Sequence, residues 1–145
     1  MDDSSTQSKI NLSTALPCPR NVAIFTYQPL DASGSLRLLK VQPDTLDGFL
    51  QIELEEITDS TPYHCLSYMW GDQTTRFPIR LNGQAAHVGK NLYNFLKVAK
   101  RRFPGEAFWI DSLCINQADD HEKSSQVQRM GSIYRDATDV IIWFG

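Results

Sequence analysis

The sequence predicts an α/β domain: a short parallel sheet flanked by helices, with antiparallel strands and a β-hairpin on its N-terminal side. Three observations carry this prediction. Residues 50–55 alternate, Leu50, Ile52 and Leu54 against Gln51, Glu53 and Glu55, as a half-buried strand does. Three later runs, at 63–72, 107–111 and 139–145, are apolar or aromatic on both faces, as strands covered on both sides are. Segments of helical period separate these runs. The resulting strand, helix, strand, helix, strand order argues for parallel strands joined by right-handed crossovers.

The elements follow in chain order. Residues 1–20 are polar, rich in Ser, Thr and Pro, and without period, so they read as a flexible tail ahead of one domain at 21–145. Three strands are expected at 23–27, 36–41 and 49–57, with turns at 31–34 and 43–48. The run "YHCLSYMWGD" (63–72) is the first strand covered on both sides, and Gly71-Asp72 stops it. In "PIRLNGQAAHV" the Asn82-Gly83 pair favours a type I′ turn and hence a hairpin. "GKNLYNFLKVAKRRFPG" reads as a helix, with Leu92, Phe95, Leu96 and Ala99 on one face. Its cations gather at the C-terminal end, where the helix dipole favours them, and Pro104-Gly105 ends it. "AFWID" (107–111) is the second buried strand. A helix from about 120 to 136 follows, with Val127, Met130, Ile133, Tyr134 and Ala137 as its apolar stripe. "DVIIWFG" closes the chain as the third buried strand, although as a lone edge its ladder would invite another chain or a further part of this one.

Composition narrows the function. At 145 residues the chain fits one domain with a real core, and 41% hydrophobic and 21% charged residues are those of a soluble globular protein. A net charge of -3 gives no reason to expect nucleic acid as a partner. "KVAKRR" is better read as a solvated helix end than as a basic patch. No apolar run is long enough to span a bilayer, and the N-terminus has no secretory pattern. Three widely spaced cysteines suggest neither a disulfide framework nor a zinc ribbon, which fits a cytoplasmic protein. His64, His87 and His121 lack ligand spacing, so no metal site is expected. Ser67 and Ser112 lack the setting of a nucleophile elbow.

The motifs "YHCLSYMWGD", "GKNL" and "FWIDSLCINQADDHEKSSQVQRMGSIYRDATDVIIWFG" resemble the fungal heterokaryon incompatibility (HET) domain over 63–145. "YQPLD" and "LRLLKVQP" are similar to that family's lead-in. Cys65 stands where the family usually has a small residue, and Glu122-Lys123 where it has Glu-Arg, so the bidentate fork of arginine is given up. The resemblance implies a signalling and interaction domain in non-self recognition and programmed cell death, acting by self-association or with another incompatibility protein. It also implies distant kinship to Toll/interleukin-1 receptor (TIR) domains on a flavodoxin-like sheet. A sheet with three parallel strands is incomplete by that standard, as in a truncated chain or a short family member.

On a flavodoxin-like sheet the strand at 63–70 lies between the other two, and ligands bind beyond the C-terminal strand ends. Trp70, Gly71 and Asp72 would meet Asp111, Asn116 and Gln117 there. Trp70 is either a stacking platform for a ring or a core aromatic. Gly71 permits close approach of a ligand. Asp72 either binds or ends the strand by an Asx-turn. Asp111 either faces the crevice or accepts backbone N–H groups or pairs with a cation such as Arg129. Asn116 and Gln117 either bind or pin the loop to backbone.

Glu122 is the candidate catalytic residue of the alternative function, a TIR-type glycohydrolase consuming NAD or a related nucleotide. It would stabilise positive charge developing on the ribose. Against this, Asp119-x-x-Glu122 has the spacing of a capping box, which puts the Glu122 side chain on backbone near Asp119. In NAD-cleaving TIR domains, moreover, the catalytic glutamate lies on the helix after the third parallel strand. No residue up to Gly145 matches that position.

Overall fold

The computed structural model describes residues 22–30, 34–43 and 46–145. The tail expected at 1–20 and most of the turn expected at 31–34 lie outside them. The described residues form β1 (Leu36–Val41), β2 (Gln51–Ile57), β3 (His64–Tyr68), β4 (Arg76–Leu81), β5 (Gln84–Gly89), α1 (Lys90–Arg102), β6 (Phe108–Trp109), α2 (Asp111–Cys114), α3 (Asp120–Asp136) and β7 (Asp139–Trp143). The strands make one seven-stranded mixed sheet in the order β5-β4-β2-β1-β6-β3-β7.

Three pairings position the rest. β1 and β2 are antiparallel, Leu36 opposite Ile57 and Val41 opposite Ile52. β3 lies parallel between β6 and β7, with His64 level with both Phe108 and Asp139. The central place expected for 63–70 is therefore realised. A single antiparallel register pair, Leu39 with Phe108, joins β1 to β6. The hairpin β4–β5 turns at Asn82 (φ 52°) and Gly83 (φ 79°), the two positive values that a type I′ turn requires. Asn82 also holds β2, accepting from Leu54 N and donating to Leu54 O.

The helices cover opposite faces. Phe108 and Trp109 are neighbours on β6 and so point to opposite sides. Phe95 of α1 meets the Phe108 ring edge-on at 5.5 Å, and Tyr134 of α3 meets Trp109 at 6.0 Å. The expected stripe of α1 is buried in full: Leu92, Phe95, Leu96 and Ala99.

Four expectations need correction. Residues 23–27 form no strand; they make an isolated parallel bridge, Ile24 to Ala85, along the outer edge of β5. Phe25 and Tyr27 do pack inward, with Tyr27 donating to Leu113 O at 2.7 Å, but the backbone pairing with β5 is limited to Phe25 N to Ala85 O and Ala85 N to Ala23 O. β7 is not buried on both faces. It is the sheet's edge, with Ile142 62% and Phe144 94% exposed, while Trp143 on the other parity packs edge-on against Phe95. The stripe of α3 departs at its start: Ile133, Met130, Tyr134 and Ala137 pack on the core as expected, but Val127 is 50% exposed, and Glu122 and Gln126 are buried. An internal cation, the Arg37 guanidinium described below, draws Glu122 inward. Finally, 111–114 is not loop but the short helix α2, closed by Cys114 N to Ile110 O.

Candidate functional site

The crevice is built where β3 and β6 end. Trp70 follows β3 and is 39% exposed. The Trp70 side chain lies near enough to the carboxylate of Asp111, the first residue of α2, to favour its charged form. One residue further along α2, the Ser112 hydroxyl meets the Tyr68 hydroxyl at 2.6 Å. The two segments singled out in the sequence thus meet at one end of the parallel sheet, joined by the Tyr68–Ser112 bond. Burial pushes the Asp111 carboxyl above its ordinary value, against the opposing pull of the Trp70 side chain. Burial likewise pushes the Tyr68 phenol to about 12.

The turn after β3 is seated on the start of α1. Gly71 has φ +69°, and a Cβ there would stand 2.8 Å from Asn91 Nδ2. Asn91 in turn donates to Met69 O at 3.0 Å. Gln73 donates to Trp70 O at 2.7 Å and lies where a Cβ on Gly89 would be. Both glycines are therefore explained by close approach within the protein. Asp72 makes the Asx-turn: its carboxylate accepts from Thr74 N at 2.8 Å and Thr74 Oγ1 at 2.7 Å. Those bonds, the backbone one first, hold the exposed Asp72 carboxyl below its ordinary value.

The loop after α2 is pinned from within. Gln117 donates to Asp111 O at 2.9 Å, and Asn116 Oδ1 accepts from Ala118 N at 3.2 Å. Asp119 caps α3, accepting from His121 N and Glu122 N at 3.1 Å each. The reciprocal half of the capping box is absent, which corrects the placement of Glu122. Its carboxylate turns inward and takes Arg37 bidentately at 2.6 and 2.8 Å, and accepts Asn116 N at 2.7 Å. Burial opposes the Glu122 charge, but the guanidinium and the Asn116 N–H outweigh it and hold the carboxyl below its ordinary value. Arg37 also donates to Cys114 O and Gln28 O and lies over the Tyr27 ring at 4.8 Å. Arg129, considered as a partner for Asp111, instead donates to Ser35 O and Gly34 O.

Arg37 is the residue that reading the sequence missed. It shares its strand face with Leu39 and Val41, both buried. A buried arginine demands an acid, and that demand was the available signal. A groove of about 540 Å³ opens next to Ser112, bordered by Tyr27, Arg76, His87 and Leu113. Trp70, Asp72 and Asn116 do not line it. Among the described residues no helix is long and apolar enough to cross a membrane, and no His, Cys, Asp or Glu group is arranged to hold a metal ion.

The model of the family described as heterokaryon incompatibility protein (HET) matches residues 63–145. Heterokaryon incompatibility protein 6, OR allele, of Neurospora crassa is 33% identical over 141 residues, covering 84% of this chain and 21% of that protein. The chain thus spans about a fifth of the length of the curated relative it matches. No solved structure matches the chain.

Proposed function

The chain belongs to the heterokaryon incompatibility family, and from that membership we propose that it is a signalling and interaction domain in fungal non-self recognition, acting in the cytoplasm toward programmed cell death. Self-association, or association with another incompatibility protein, would transmit the signal. The observation that carries the reading is the match over 63–145 together with the joining of its two signature segments by the Tyr68–Ser112 bond. We read β6-β3-β7 as the opening of a flavodoxin-like, TIR-type sheet, a reading supported by the central parallel position of β3.

The nucleotide-consuming alternative is weakened by Glu122, whose carboxylate is committed to Arg37 and Asn116 N. It retains Asp111 as an acid beside Trp70. Trp70 would stack on a ring of NAD or a related nucleotide, and Asp111, Asn116 and Gln117 would supply polar contacts. Two measurements test the ranking. Induced expression in a filamentous fungus should cause cell death, read by dye uptake. The purified chain, at concentrations where it associates, should leave NAD intact. NAD turnover abolished by Asp111→Asn, with the fold unchanged by circular dichroism, would replace signalling by catalysis.

A further inference from the structure

A second cluster of titratable groups lies at the other end of the parallel sheet. His64 is the first residue of β3. Its Nδ1 is 2.5 Å from the Asp139 carboxylate, at the start of β7, and its Nε2 is 2.5 Å from the Glu106 carboxylate, in the turn before β6. The ring rests against Phe103 and Phe108 and is 14% exposed, whereas the two acids are half open to water. A carboxylate only accepts. With both acids ionised, both contacts are hydrogen bonds when each ring nitrogen carries a proton, and only the imidazolium has two N–H donors.

We propose that His64 is a pH-operated latch on the edge strand: its imidazolium ties the start of β7 to the turn before β6, and loss of one proton releases the tie. A neutral ring keeps one N–H and turns a lone pair toward the other carboxylate. β7 is the element with most to lose, because β3 is its only partner in the sheet among the described residues. The other charged groups nearby are few. Lys40 of β1 borders the same cavity of about 410 Å³, through which water reaches the ring. α1 contributes the Phe103 contact at its end, after the basic turn Lys100, Arg101 and Arg102. Thr138, before β7, is fixed separately by its N–H to Tyr63 O at 2.7 Å. The far end of β7 is held by Trp143 Nε1 to Asn91 O, so release is confined to the Asp139 end.

Burial disfavours the charged ring, but the bonds to Asp139 and Glu106 outweigh it and raise the His64 pKa above the ordinary 6.5. The sign follows. The latch is fully made below pH 6.5 and is lost as pH rises through the higher folded-state value.

The test is a titration of the 145-residue chain by nitrogen-15 NMR of the histidine rings, with amide exchange followed at 139–143. Below its midpoint, which should exceed 6.5, His64 should be protonated at both nitrogens. Above it, protection at the Asp139 end of β7 should fall beyond the ordinary base-catalysed slope, by about tenfold for each unit by which the midpoint exceeds the ordinary value. Asp139→Asn, which keeps the size of the side chain, should lower the midpoint and flatten the pH dependence. A midpoint at or below 6.5, an unchanged midpoint in Asp139→Asn, or protection that follows base catalysis alone would each overturn the latch.

Discussion

Breaking the Arg37–Glu122 pair from one side should cost this domain a large part of its stability. The guanidinium makes four hydrogen bonds: two to Glu122 at 2.6 and 2.8 Å, one to Cys114 O at 3.1 Å and one to Gln28 O at 2.8 Å. Both side chains are at least nine-tenths buried. Arg37→Met would leave the Glu122 charge with only Asn116 N, and removing one partner of such a pair costs about 3–5 kcal/mol. Native domains hold on the order of 5–15 kcal/mol in all, so the loss is a third or more of the total in many of them. Glu122→Gln keeps the shape and should cost less, about 2 kcal/mol, the range of a hydrogen bond to a charged group.

Arg37→Met with Glu122→Leu removes both charges. It should be more stable than the sum of the single effects implies, by about 1–3 kcal/mol. The assay is urea denaturation followed by circular dichroism, repeated from pH 7 to pH 3. Glu122 has a folded pKa below its ordinary 4.5. Its contribution is therefore present above pH 4.5 and fades as pH falls through the folded value, and Glu122→Gln should lose that part of the acid limb. A loss under about 1 kcal/mol for Arg37→Met, or an additive cycle, would refute the claim that the pair is a buried clamp.

Two further outcomes are expected. Asp119→Ala should lower the denaturation midpoint by the equivalent of about 1 kcal/mol, because two N–H groups at the start of α3 lose their acceptor. Gly71→Ala should cost about 1–2 kcal/mol in thermal unfolding from its left-handed backbone. Adding Asn91→Ala should recover only the part due to the 2.8 Å contact.

The periodic elements were legible because each writes its face into the order of residues. The stripe of α1, the alternation of β2 and the Asn82-Gly83 turn needed no partner to be read. The central position of β3 followed from the flavodoxin-like sheet that the family resemblance implies. Glu122 was misread because its local spacing and its distant partner compete. Capping spacing is visible within four residues, while Arg37 is 85 positions away. The stripe of α3 was legible except at Val127, where the inward turn of Glu122 about one helical turn earlier takes the buried place. Gly71 was legible as a glycine that something approaches closely. That the neighbour is Asn91, 20 residues on, needed the crossing of the β3 turn over α1.

The single register pair between β1 and β6 has a consequence for how the chain folds. On one side of it, β1–β2 and the β4–β5 hairpin each pair between neighbouring segments, and the parallel β2–β4 pairing passes over β3 in the chain without a helix. On the other, β3, β6 and β7 must wait for two helical crossovers to close, and pairings of that kind are slow. Leu39 and Phe108 therefore meet late, when two half-sheets dock. The Arg37–Glu122 clamp crosses the same junction, so its φ-value is expected to be low. Its removal should leave the refolding rate nearly unchanged and appear almost wholly as faster unfolding in a chevron plot. The clamp is thus a determinant of how long the domain stays folded rather than of how quickly it gets there.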